Sequence, residues 1–451
     1  MSENLVVPMI MSMVALVFVG YTRRRPVLAV FIMIAIVSLS DLFQIGTDGI
    51  NLGVTIYLND IADIVMLSAG ALVLKRNRQR LPSDAMPCIA LFGLSMLNFL
   101  RGIPTYGIKD AGNNIRENIH FVAPALAVML IMPAIKLDSK CLARWIGWVG
   151  LVFGSVAILR WIGVLSIPGD ESGDFREVER VLNANYAFVV AQAFLSALYL
   201  WLSERRNKWW GAVALPLAAI TLALQHRSVW LAVAVGFVWL AFRTLRTSRK
   251  QWTILVSVIS VCFISFLLIA PRVLDSAKGI FASNVEETEK EDSTWAWRVA
   301  GYQEATARIL SDNPLAIIAG PPAGWAMNVF VVSSASTFIH SRYISTLANY
   351  GIVGLVTLLI WLGVIMKSLN WSSRLARDGL IQPLMSASFI EALLLAEIVY
   401  LAPYAGGIMQ GASLGLIWVV AKQSGFTKGG GRPVSVRGTF EGQHITSTLE
   451  S

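Results

Sequence analysis

The chain alternates long apolar runs with short clusters of Arg and Lys. Crossing a bilayer as a helix takes roughly 17–25 apolar residues. Runs of that kind fall at about 5–20, 26–43, 53–74, 86–100, 118–135, 145–167, 184–202, 210–225, 229–242, 252–271, 343–366, 380–402 and 404–421. Several are short, so twelve or thirteen spans are expected. The last run holds Gly406, Gly407, Gly411 and Gly415, and reads either as a span or as a broken, re-entrant segment. The pattern predicts an all-α, polytopic integral membrane protein.

Basic residues set the orientation, because connections rich in Lys and Arg stay on the cytoplasmic side. They cluster in every second connection: Arg23-Arg24-Arg25; Lys75 to Arg80; Lys136, Lys140 and Arg144; Arg205, Arg206 and Lys208; Arg243 to Lys250; Lys367, Arg374 and Arg377; and the tail from Lys422. The alternation never breaks. With thirteen spans it puts the N-terminus outside and the C-terminus inside. Four parts follow: spans one to ten over 1–271, one large outer loop over 272–342, the remaining spans over 343–421, and a polar, Gly-rich cytoplasmic tail over 422–451 that is expected to be disordered.

Composition narrows the class. Hydrophobic residues make up 55% and charged residues 14%, with a mean hydropathy of +0.62. Soluble domains carry roughly 25% charged residues. A cytosolic enzyme, a disordered protein and a nucleic-acid binder are therefore excluded. The net charge of +9 needs only inner loops held at anionic lipid. Cys88, Cys141 and Cys262 form neither a disulfide framework nor a metal pattern. No cleavable signal peptide is expected, since Leu5–Gly20 lacks a basic leader and more spans follow.

Candidate chemistry gathers on the outer side. Gln225-His226-Arg227-Ser228 sits in a tight turn between two spans, so the Arg227 side chain stays near the bundle end, where it can meet an anion. In the large loop, Ser293 or Thr294 can cap a helix in which Trp295, Val299, Tyr302, Thr306 and Ile309 form an amphipathic stripe that ends at Asn313-Pro314. Arg298 flanks that stripe, and the turn-rich Gly320-Pro321-Pro322-Ala323-Gly324 follows. His340, Ser341 and Arg342 precede the next span. Three of the four histidines, His120, His226 and His340, map to the outer face or its rim.

HRSVWLA, WRVAGYQEATARILSDNPLAIIAGPPAGW and HSRYISTLANYGIVGLV resemble, in order and in topological place, three elements of the bacterial O-antigen ligase/polymerase superfamily. The likeness covers about Gln225–Met366. It implies a GT-C-like glycosyltransferase that uses polyprenyl-diphosphate-linked glycans at the periplasmic face of the inner membrane, with a glycan or lipid A core as acceptor and other polysaccharide-assembly proteins as partners. The family's functional residues carry over to Arg227, Arg298 and His340. Ser228 stands where the family has Gly, and Ser341 where it has Asn.

In such a reaction Arg227 and Arg298 would hold the departing diphosphate, since a guanidinium forks onto phosphate oxygens. His340 would take the proton of the acceptor hydroxyl. His226, Tyr302, Arg342 and Asp63 complete the expected substrate contacts. The long loop has no Asp-x-Asp pair, so neither a metal nor another cofactor is expected. Asp60 and Asp63 share a helix face and suit a structural pair with Arg116 or Arg160; Glu391 and Glu397 lie in the twelfth run. Polymerase and ligase both stay open, with a transporter or a non-catalytic scaffold as rivals. Alkaline phosphatase fused after residue 290 should be active and, fused after Arg437, inactive; the opposite outcome inverts the topology.

Overall fold

The computed structural model describes residues 24–43, 50–51, 55–78, 82–165, 181–204, 208–224, 226–247, 316–325, 331–332, 335–336, 341–376 and 381–426, with isolated positions at 252, 253, 256, 303 and 307. It is helical. The elements are α1 (Pro26–Phe43), α2 (Leu58–Asn77), α3 (Met86–Ile131), α4 (Ser139–Trp161), α5 (Ala184–Ser203), α6 (Trp209–Ala223), α7 (Arg227–Thr247), the short α8 (Ala316–Ala319), α9 (Arg342–Ala376), α10 (Ile381–Tyr400) and α11 (Ile408–Phe426). Two minimal hairpins, β1 (Ile50–Asn51) with β2 (Thr55–Ile56) and β3 (Val331–Val332) with β4 (Ala335–Ser336), are the strands among the described residues. Six helices there are long and apolar enough to cross a membrane. Large apolar side chains such as Ile64, Leu100, Trp148, Val238 and Ile360 lie on the outside, as lipid-facing residues do.

The runs at 86–100 and 118–135 do not flank an irregular loop. The helix continues through both sides of Gly107, whose φ of 78° and ψ of 165° turn the chain back on itself. The two arms then run antiparallel: Asn118 donates to Ser95 Oγ, and Cys88 Sγ meets the Val122 carbonyl. A side chain at φ near +78° would strain the backbone, so glycine is what lets the reversal happen inside one helical element. Gly351 (φ 64°) breaks α9 in the same way, separating a short first arm from the long span.

Glycine also sets helix spacing. On α4, Gly147 faces Trp210, Gly150 faces Ala193 and Gly154 faces Ile220. On α11, Gly411 and Gly415 lie against the carbonyls of Phe121 and Ala125 in α3. Small residues four apart let two backbones approach closely in a membrane. The Gly-rich last run is thus one unbroken helix, continuing past Lys422 to Phe426, and only Gly406 and Gly407 lie in the turn before it.

The two ends of the bundle differ. At the lower end, Lys422 pairs with Asp84, Arg144 with Glu204 (2.5 Å), and Gln423 exchanges bonds with Ile135 and Leu137 (2.7 and 2.8 Å). These are the basic connections that the sequence assigns to one side. Higher up, Arg243 and the Trp239 indole both donate to Glu391, while Gln192 donates to the fully buried Glu397 at 2.7 Å. The remaining helix ends meet at the upper end. Gly411→Val should lower the thermal midpoint by about 1–3 kcal/mol of overpacking. Gly93→Ala, with open space around it, should be neutral or slightly stabilising because alanine favours helix.

Candidate functional site

The upper end is built around Arg342, the first residue of α9. Its side chain is 1% exposed. The guanidinium donates to the carbonyls of Ala405 and Gly406 in the α10–α11 turn, and to Asn118 Oδ1 of α3 at 3.2 Å. It lies 4.2 Å from the centroid of the Phe121 ring. Its backbone N–H reaches the Leu401 and Tyr404 carbonyls. Those carbonyls end α10, where the helix leaves acceptors unfilled and a cation is favoured. Arg342, expected from the sequence as a substrate contact, is here an internal tie.

A second clamp holds the turn after α8. The Ala323 N–H donates to the Asn98 carbonyl at 3.2 Å, and Arg101 donates to the Gly320 carbonyl at 3.2 Å. Asn98 also donates to the Asn349 carbonyl. Gly320 and Gly324 have φ of 74° and 96° and press against Asn349 and Tyr106. The close approaches that these glycines permit are to the Asn349 backbone and the Tyr106 side chain: the turn wedges α3 against α9.

His226 is 3% exposed, and its Nε2 bonds the Leu182 carbonyl at 2.9 Å. A carbonyl only accepts, so Nε2 carries the proton and joins the α6–α7 turn to the start of α5. Trp230 Nε1 closes the same turn on the Thr221 carbonyl. The next residue, Arg227, opens α7 and is exposed. It sets a guanidinium beside the unfilled N–H groups of a helix start, and both favour an anion. α7 packs antiparallel along α10, with Gly236 against Ala392 and Ala396. That pairing carries Arg227 to the level of the α10–α11 turn that Arg342 grips.

Asp63 is 3% exposed, and its Oδ2 lies 2.6 Å from His120 Nδ1. Asp60 pairs with Arg116 at 2.9 Å and accepts from the Tyr57 N–H. Arg116 reaches the Thr55 carbonyl as well. Asp60 and Arg116 thus fasten the β1–β2 hairpin and the start of α2 to α3. Among the described residues Arg160 takes no carboxylate; it donates to the Leu42 and Val181 carbonyls. Arg298, Tyr302 and His340 lie outside the described residues. Among the described residues, no group of His, Cys, Asp and Glu has the arrangement of a metal site.

Residues 212–359 match the family model described as O-antigen ligase. The match covers about a third of the chain and supports the O-antigen ligase/polymerase superfamily. The matched segment begins in α6, takes in the His226–Arg227 turn and the large loop, and ends inside α9. The superfamily is one of membrane proteins that transfer glycans in O-antigen biosynthesis. No curated protein matches the chain.

Sequence reasoning did not pair His120 with Asp63. Their signals were present, a carboxylate at helical spacing from Asp60 and a histidine at the rim, but 57 positions separate them. Arg342→Met should strip a donor from Asn118 Oδ1 and the two turn carbonyls. A loss of about 2–4 kcal/mol is expected, at about 1–3 kcal/mol for each orphaned group, and is read as a lower thermal midpoint in lipid nanodiscs.

Proposed function

We propose that the protein transfers a glycan from a polyprenyl-diphosphate donor to an acceptor sugar hydroxyl at the periplasmic face of a bacterial inner membrane, polymerising O-antigen or exopolysaccharide repeat units. The observation that carries this reading is an exposed Arg227 at the same bundle end as the anchored start of α9, inside the matched domain. Arg342, two positions after His340 in the sequence, anchors the start of α9 against α3 and the turn after α10.

The chemistry follows from charge. The acceptor oxygen attacks the anomeric carbon as its proton passes to His340. The bond from that carbon to the diphosphate breaks, and the diphosphate leaves with the electron pair. Arg227 and Arg298 neutralise the charge that develops on it, in place of a divalent cation. One displacement inverts the anomeric centre. His226, its Nε2 proton donated to Leu182, positions Arg227 by fixing the turn before it. Arg342 acts as a positioning residue, and Tyr302 is proposed as a further substrate contact.

A second reading is ligation of finished glycan to lipid A core, favoured by the description of the matched family. A transporter is less well supported. Of the carboxylates that would serve it, Glu391 is held by Arg243 and Trp239 and Asp60 by Arg116.

Purified protein given a lipid-linked oligosaccharide should yield a ladder of products if it polymerises, and a single product with lipid A core if it ligates. Arg227→Ala, Arg298→Ala and His340→Ala should each cut product formation by about 10²–10⁴-fold while the protein still folds. Undiminished product in these variants removes their catalytic roles. Chelation of divalent metals should leave the rate unchanged; loss of turnover on chelation sinks the metal-free mechanism.

A further inference from the structure

The upper end has two differently charged regions. Arg227 is exposed near the α10–α11 turn. Around His120 the balance is reversed. Asp63 touches its Nδ1, Asp60 lies 3.6 Å from its Nε2, and Asp41 of α1 and Glu117 of α3 act on it electrostatically. Two carboxylates thus lie beside this imidazole and two more act on it from farther off. The guanidinium among them, Arg116, is engaged by Asp60, Asn113 and Thr55. Such a region repels a diphosphate.

The bonds leave specific atoms unused. Asp63 Oδ2 lies 2.6 Å from His120 Nδ1, which leaves Nε2 as the ring nitrogen open to a further hydrogen bond. At 3.6 Å, Asp60 Oδ1 is beyond hydrogen-bond length from it, and that oxygen is already filled by Arg116. Asp63 Oδ1 is buried and has no hydrogen-bond partner. The ring is partly open, at 14%. A partly open imidazole nitrogen without a hydrogen-bond partner among the described residues thus sits beside a buried carboxylate that orients the ring. Glu117, exposed one turn before His120, acts electrostatically on both His120 and Arg342. It links this patch to the segment that follows His340.

We propose that His120, oriented by Asp63, is a docking point for a hydroxyl-rich acceptor glycan, set apart from the cationic ground around Arg227. A sugar hydroxyl, which both donates and accepts, can bond the open Nε2, and a neutral or cationic sugar meets no repulsion from the carboxylates around it. The proposal rests on the glycan-transfer reading and divides it: the donor diphosphate goes to the arginines and the acceptor to the His–Asp pair. His120 binds here, whereas His340 takes the proton.

The test uses full-length protein in nanodiscs, as wild type, His120→Ala and His120→Gln, with thermal melts to verify folding. Two probes are titrated without donor: the repeat-unit oligosaccharide released from the lipid-linked donor, and lipid A core oligosaccharide. Wild type should bind at least one. His120→Ala should weaken that binding about tenfold, as expected for one lost hydrogen bond, and His120→Gln should weaken it less. In turnover assays, KM for the acceptor should rise while KM for the donor holds. The proposal is overturned if wild type binds neither probe, or if His120→Ala binds as well as wild type. Binding that depends on His120 in a protein forming no transfer product would keep the acceptor site and remove the transfer reading.

Discussion

The upper half of the molecule depends on a buried cation whose partners are mostly backbone carbonyls. Arg342 is desolvated, and a charge in that state persists only where hydrogen bonds replace water. The end of α10 and the turn after it provide such acceptors, because a helix C-terminus leaves its last carbonyls unfilled. One guanidinium therefore joins the start of α9, the α10–α11 turn and the second arm of α3. Without it, the start of α9 would lose its set position at the bundle end.

Close helix contact makes that knot possible. Asn118 and Phe121 reach Arg342 because α11 lies tight against α3, its Gly411 under the Phe121 carbonyl. The reversal at Gly107 then places Asn98 and Arg101 beside the turn after α8, which leans on Asn349 and Tyr350. Elements from distant parts of the chain are thus locked together by polar groups facing inward. The apolar exterior is left to lipid.

Charge is distributed by the same logic. Basic connections collect at the lower end, where Lys422, Arg144 and Gln423 join neighbouring elements. Inside the bundle, ionisable groups are bound, Glu391 most fully through Arg243 and Trp239. The upper end keeps an exposed guanidinium at Arg227 and an imidazole at His120 with a vacant nitrogen. Those two groups, of opposite electrostatic surroundings, suit a reaction that joins an anionic donor to a hydroxylic acceptor.

The apolar runs and their basic punctuation determined the helical membrane class, because the cost of exposing backbone or charge to lipid is local and can be read residue by residue. The motif around Arg227 was legible for the same reason, being contiguous. The fate of Arg342 was not, since a loop arginine looks the same in sequence whether it meets water or four carbonyls. Neither was the role of the last glycines: Gly411 and Gly415 gain meaning only from the α3 backbone opposite them. The expected partner of Asp60 was right in Arg116, whereas Arg160 went to carbonyls. His120 and Asp63 met only through tertiary packing, because a hydrogen bond needs distance and direction, and no spacing along one chain encodes those across two helices.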